Sequence, residues 1–237
     1  MNNLAEQSLA SIVTEQFQSA QVFEKYNLDF CCKGKKTLAA ACEDNGLPID
    51  EIMQELNLVL NKKNDAKNFN EMSAEELISH IILHHHFYVK QSLPNILSHI
   101  EKVVYKHGSS YPYMLDVLDI FQQVNDEMIQ HMQKEELILF PKIREIETSL
   151  KFNKTPNVTA ETLSKPIEVM EIEHEFVGEA LNKIKVLTNN YSILDEMCTT
   201  FKITINELKE FEENLHQHVH LENNILFPKA TLLLQLN

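Results

Sequence analysis

Four stretches of this chain repeat an apolar residue every three or four positions, and in each of them histidine or glutamate takes a place that otherwise holds a core side chain. Such spacing lines one stripe of an amphipathic helix, and four stripes facing one another make a bundle. The first run passes through Ile82, His86, Val89, Leu93, Ile96, Ile100 and Val103, and the second through Met114, Val117, Phe121, Val124, Met128, His131, Glu135 and Ile138. The third takes Ile167, Met170, His174, Val177, Leu181 and Ile184, and the fourth Leu208, Phe211, Leu215, His218, Glu222 and Ile225. Ser73 and Glu76 have the spacing of a capping box, so a long helix is expected to start there. Short polar joints at 106–110 and 189–192 favour antiparallel neighbours within each pair, with a longer connection over 148–165 between the pairs. With only 4 Gly and 7 Pro, the chain has few residues for the tight turns of strand-rich folds, so the fold class is all-α.

The two halves of the bundle resemble each other. The segments starting at His131 and His218 agree at seven of twelve positions, and each ends in Ile-Leu-Phe-Pro-Lys. Upstream, His86 and His174 precede those segments by 45 and 44 residues. An internal duplication follows, in which each half supplies one histidine from its first helix and a His-x-x-x-Glu pair from its second.

Residues four apart on a helix differ by about 40° in direction, so His131 with Glu135, and His218 with Glu222, can each grip one centre. A lone histidine on an apolar stripe is usually a hydrogen-bonded core residue, and a lone His-x-x-x-Glu is usually a surface pair. Six such residues in register on four helices are a different matter. A buried carboxylate costs several kcal/mol unless it is paired or holds a metal. Imidazole and carboxylate without thiolate suit iron, zinc or manganese. Four histidines and two glutamates exceed the needs of one tetrahedral ion, whereas two ions sharing both carboxylates use all six and keep positions open.

The same register sorts the remaining histidines among the 11. His84 and His85 are expected behind the ligands or on the surface, because successive helical residues turn by about 100°. His80, His99, His107, His216 and His220 fall off the stripes and are expected to be solvated or capping.

The net charge of −14 makes nucleic acid and anionic membranes unfavourable partners. No apolar run approaches the roughly 18 residues that cross a bilayer, and the N-terminus lacks the basic start and apolar stretch of a signal peptide. Four cysteines, two of them adjacent, do not form a secreted disulfide framework. A cytoplasmic location is expected. The polar stretch 61–68 separates a cysteine-bearing segment from most of the histidines, giving three expected parts: a small helical domain over 1–60, a linker over 61–72, and the bundle over 73–237.

Together, His86, His131-x-x-x-Glu135, His174, His218-x-x-x-Glu222 and the two Leu-Phe-Pro segments resemble the hemerythrin-like domain of the RIC (repair of iron centres) di-iron proteins. Asn27 to Gly34 resembles that family's cysteine-bearing N-terminal domain, so almost the whole chain takes part. Oxygen-carrying hemerythrins use five histidines and a His-x-x-x-x-Asp spacing, which Glu222 does not reproduce, and ferritin-like proteins use Glu-x-x-His pairs. The resemblance implies a hemerythrin-like four-helix bundle holding two iron ions. His86, His131, His174 and His218 would be terminal ligands, and Glu135 and Glu222 bridges. It implies a stress-response role in repairing iron-sulfur clusters damaged by oxidants or nitric oxide, by iron donation. The partners would then be iron-sulfur proteins with damaged clusters, met by a monomer or homodimer. The alternative is an oxygen or nitric oxide sensor or carrier, and reduction of nitric oxide or peroxide stays open as an accompanying activity. Glu127 and Glu173 match acidic family positions that could line an access path.

Cys31 and Cys32 precede Lys33-Gly34-Lys35-Lys36, a basic turn expected to lower a thiol pKa. Adjacent cysteines rarely bond to each other without strain. Thiol exchange, transient metal transfer and an intermolecular disulfide are open to them, beside plain structural use. Cys42, on a helix expected over 37–43, and Cys198 are expected to be buried small hydrophobes.

Overall fold

The computed structural model describes residues 4–60 and 68–235. Two short helices, α1 (Leu9–Glu15) and α2 (Ser19–Lys25), are followed by α3 (Leu38–Asn45) and α4 (Ile49–Leu60). Ser8 caps α1 through the Ser11 amide and Thr37 caps α3 through the Ala40 amide, while Gly46, with φ of 62°, closes α3 in the left-handed conformation. Gly34 is required by close approach, since a Cβ there would lie 2.1 Å from the Phe30 carbonyl oxygen. Residues 61–67 of the expected linker lie outside the described residues. Its last part is packed: Phe69 is buried in a 3-10 turn, with its ring 4.8 Å from that of Phe17.

Four long helices follow. The first, α5 (74–107), starts at the expected capping box of Ser73 and Glu76 and runs through Ala74–His80, a wide π turn at Ile81–His86, and Phe87–His107. The second, α6 (113–151), joins Tyr113–Lys134 to Phe140–Lys151 through a π turn at Glu135–Leu139. Helix α7 (Ala160–Leu187) is regular throughout, and α8 (199–235) contains a third π turn at Glu222–Leu226. Each helix packs on its sequence neighbours, and α8 closes the ring on α5. Cross-links run in opposite directions along neighbouring helices: His86 meets Glu136 where Glu75 meets Arg144, His131 meets Glu173 where Lys142 meets Thr162, and His85 meets Asn214 where His99 meets Glu207. The bundle is therefore antiparallel, and no strand occurs among the described residues.

The connections differ from expectation. The link between pairs shrinks to 152–159 because α7 begins at Ala160 behind the Thr159 cap, while the joint within the second pair lengthens to 188–198. In that longer joint Asn189, Asn190 and Tyr191 all adopt positive φ, a conformation asparagine tolerates better than most residues.

Among the described residues, two apolar cores divide the bundle. Val89, Met128, Met132, Val177 and Val219 belong to the core shared with α1 to α4, whereas Ile81, Leu139, Phe140, Met170 and Ile225 belong to the core at the other end. A polar layer of histidine and glutamate lies between them on all four long helices. Among the described residues no helix is long and apolar enough to cross a membrane.

Candidate metal centre

The three π turns lie at the polar layer. The Phe140 amide donates to the Glu135 carbonyl, the Phe227 amide to the Glu222 carbonyl, and the Phe87 amide to the Ile82 carbonyl, each spanning five residues instead of four. In two of them a proline comes next, Pro141 or Pro228. Proline has no N–H to complete a regular turn, so the wide turn sits where the helix already lacks a bond. The extra residue shifts the register beyond it. Leu139 is buried where Ile138 was expected, and Ile138 is exposed; likewise Ile81 is more buried than Ile82.

His86, His131, Glu135, His174, His218 and Glu222 are all buried and converge. Ligand atoms of His86, Glu135, His218 and Glu222 lie within 4.8 Å of one another, as do those of His131, Glu135, His174 and Glu222. Both carboxylates belong to both groups. Glu135 Oε2 is 3.3 Å from the Nε2 atoms of His86 and of His131, and Glu222 lies 3.0 Å from His218 Nε2 and 3.2 Å from His174 Nε2.

Outer partners orient the imidazoles. Nδ1 of His86 lies 2.7 Å from Glu136, that of His131 lies 2.9 Å from Glu173, and that of His174 lies 2.9 Å from the Asn223 side-chain oxygen. These oxygens accept, so each Nδ1 carries hydrogen and each Nε2 turns inward. Nε2 of His131 and His174 are then only 3.0 Å apart, a contact that two lone pairs tolerate only with a proton or cation between them. Both Glu135 oxygens, Glu222 Oε2 and His86 Nε2 are buried without a hydrogen bond; the 3.3 Å approach of His86 to Glu135 is not aligned for one. Orphaned acceptors facing one another suit cations held between them. Replacing Asn223 by alanine frees His174 Nδ1, and metal affinity is expected to fall by ~10–100-fold, as read by competition with a chelator.

In the cation-free protein the facing charges pull the titrations of His86, His174, His218 and Glu222 apart. Burial pulls His86 down, but the carboxylates of Glu135, Glu136 and Glu222 around it outweigh burial and raise the pKa to about 11. Burial also opposes charge on His174, and Glu222 raises it to about 9. His218 goes the other way, to about 4, although it too faces Glu222. Its Nδ1 has no partner to support the charged form, so burial prevails. Glu222 itself is held well below the usual carboxylate range, since His218, His174 and His86 overcome its burial.

Cation uptake at neutral pH is therefore expected to expel protons, those on His86 and His174 among them. Calorimetry in buffers of different ionisation enthalpy measures their number, and uptake should weaken as the pH falls. Raised pKa values also stabilise the cation-free fold fully below the unfolded value of 6.5, and this contribution is lost as pH rises through about 9 and about 11.

Of the other side chains, some lie where expected and some do not. Glu173 stands behind His131 and is bonded also to Lys134. Glu127 is half-buried one turn before His131. His85 is buried beside Asn214, and His220 is wholly buried, with burial lowering each to about 4. His216 pairs with Glu24 at 2.7 Å, and His99 with Glu207 at 2.7 Å. His216 and His220 pack edge-on against Phe30, so they face the N-terminal helices rather than solvent. Nothing within the bundle's own stripe pattern signals that contact.

Cys42 is buried as expected, but Cys198 is exposed as the residue before α8, with Sγ 3.3 Å from His107 Nε2. Cys31 and Cys32 sit against α7, where Cys32 Sγ lies 3.8 Å from the His174 carbonyl oxygen. Their pKa values are set by each other more than by the lysines of the following turn. The hydrogen bond between them, with burial, pushes Cys31 well up, and the same bond lowers Cys32.

Two known domain families match this chain. ScdA_N, a domain of unknown function, covers residues 5–60, and the hemerythrin HHE cation binding domain covers residues 77–230. The chain is 34% identical over 225 residues to the iron-sulfur cluster repair protein YtfE of Dickeya chrysanthemi, spanning 95% of this chain and 96% of that one. It is 30% identical over 228 residues to the iron-sulfur cluster repair protein ScdA of Staphylococcus epidermidis, spanning 95% and 98%. A probable iron-sulfur cluster repair protein of Haemophilus influenzae is 34% identical over 230 residues, spanning 96% and 98%. With an ScdA_N domain ahead of a hemerythrin HHE domain, and relatives that match it nearly end to end, this chain belongs to the RIC family of iron-sulfur cluster repair proteins.

Proposed function

We propose that the bundle holds two iron ions and that the protein repairs iron-sulfur clusters damaged by oxidative or nitrosative stress, with iron as the cargo it donates. One observation carries the di-iron reading: Glu135 and Glu222 each belong to both ligand groups, as bridging carboxylates must. Four ligands per ion leave coordination positions unfilled, and a site of imidazole and carboxylate without sulfur suits iron. Bound there, iron supplies redox-active centres with positions open to small ligands. The repair role follows the names of the relatives, and its partners would be iron-sulfur proteins with damaged clusters.

The chain's own residues have defined tasks in this reading. His86, His131, His174 and His218 present Nε2 to the ions, while Glu136, Glu173 and Asn223 hold the outer nitrogens of the first three. Protons on His86 and His174 favour the cation-free state, so acidification favours release. We divide the chain into 1–60, 61–72 and 73–237, in keeping with the matched ranges 5–60 and 77–230. A reducing cytoplasm suits the free thiols.

Anaerobic purification with metal counting and Mössbauer spectroscopy, followed by reactivation of an enzyme whose cluster has been damaged, tests this. About two coupled irons per chain with reactivation is the expected result. Coupled irons without reactivation would replace repair by diatomic-gas sensing or carriage, and a single uncoupled ion would end the di-iron reading.

A further inference from the structure

We propose that Asp29, Cys31 and Cys32 form a second cation site, of thiolate character, for one zinc-like divalent ion at the junction of the N-terminal helices and α7. It stands apart from whatever the bundle holds. The three residues offer ligand atoms within 4.8 Å of one another. Their spacing is that of a chelate: the sulfurs are 3.7 Å apart, and two thiolates on one tetrahedral ion, each with a bond of about 2.3 Å, are separated by about 3.8 Å. Asp29 Oδ1 is 3.3 Å from Cys31 Sγ and accepts the amides of Cys31 and Cys32 at 3.0 and 2.9 Å. Those bonds hold the turn so that both sulfurs stay on one side, and they place a carboxylate beside them as third donor.

The surroundings favour a cation. Both thiols line a cleft of about 240 Å³ between the 24–33 segment, α7 and α8, to which Glu24, Glu175, Glu179 and Glu212 also contribute against Lys33, Lys185 and His216. Gly178 faces Cys32 from α7, and a Cβ there would lie 3.7 Å from the sulfur. A glycine inside an exposed helix costs about 1 kcal/mol relative to alanine, and here it keeps the wall opposite the thiol free of side chain. Sulfur donors prefer softer ions than the imidazoles and carboxylates of the bundle do, so the two sites differ in selectivity. Three protein donors on an open cleft leave a coordination position facing solvent, which makes the site exchangeable rather than structural. Binding replaces the two thiol protons by one divalent ion, with no change of oxidation state.

Cadmium titration of the iron-loaded full chain under reducing, anaerobic conditions tests the site. The expected result is one cadmium per chain with a thiolate-to-cadmium charge-transfer band, lost in Cys32→Ser at unchanged iron content. On the unaltered protein, alkylation mapped by mass spectrometry should show Cys32 protected by cadmium at least ~10-fold, while the exposed Cys198 stays reactive. A missing band, a band that survives Cys32→Ser, or Cys32 alkylated equally fast with and without cadmium would overturn the proposal. The alkylation arm decides the matter even if Cys32→Ser does not fold.

Discussion

A chain carrying Glu222→Gln should retain no bundle cation after desalting, with affinity lowered at least ~100-fold, more than the loss of an outer partner costs. Glu222 touches both ligand groups, lying within 3.0 Å of His218, 3.2 Å of His174 and 3.9 Å of His86. Glutamine has the same shape, but its amide nitrogen turns a donor toward the centre and its oxygen lacks the charge that would neutralise a cation there. The cation-free protein suffers too. His86 and His174 keep their protons partly because Glu222 is ionised beside them. Removing one partner of a buried ion pair costs ~3–5 kcal/mol, so the melting temperature of the cation-free variant should fall below that of the cation-free parent. Metal analysis reads the first effect and thermal denaturation with chelator the second. Full cation content in Glu222→Gln would show that Glu222 does not bridge.

Phe30→Ala should produce the second large effect, a loss of ~3–5 kcal/mol concentrated in the N-terminal helices. Phe30 is 1% exposed, and its ring lies 5.6 Å from that of His220, 6.2 Å from that of His216 and 6.2 Å from that of Phe23. It is the aromatic wedge between α2 and α8. Truncation leaves a void at this junction and lets water reach His220, while the six inward-facing residues of the centre remain in place. Urea denaturation should therefore split into two transitions, the first reporting residues before 60, with metal content unchanged until the second. A single transition at the parental midpoint would show that the junction does not depend on this ring.

The bundle and the six convergent residues were legible in the sequence because burial forces a choice. Histidine and glutamate at 86, 131, 135, 174, 218 and 222 interrupt apolar stripes, and such an interruption needs a common partner. The capping box at Ser73 was legible for a similar reason, since a helix start leaves amides that only a few side chains satisfy. The π turns were not. A one-residue slip within a stripe leaves the average period almost unchanged, so Ile138 looked as suitable as Leu139. His216 and His220 were hidden for another reason. They serve a contact with Phe30, nearly two hundred positions earlier in the chain, and lie off the face that points into the bundle. Asp29's role in aiming the cysteine pair was equally hidden, because a carboxylate two residues before a thiol says nothing about which amides it accepts.

The layer of imidazoles and acids between the two apolar cores makes the bundle a pair of stacked blocks rather than one continuous rod. Ions in that layer would rivet the blocks together, and draining them would leave the seam held by protonated His86 and His174 against the carboxylates alone. The weak plane then falls at the wide turns, so the block carrying Phe140 and Phe227 should fray first while the block joined to the N-terminal helices stays shut. A protein whose cargo is also its fastener would signal an empty hold by loosening at one end.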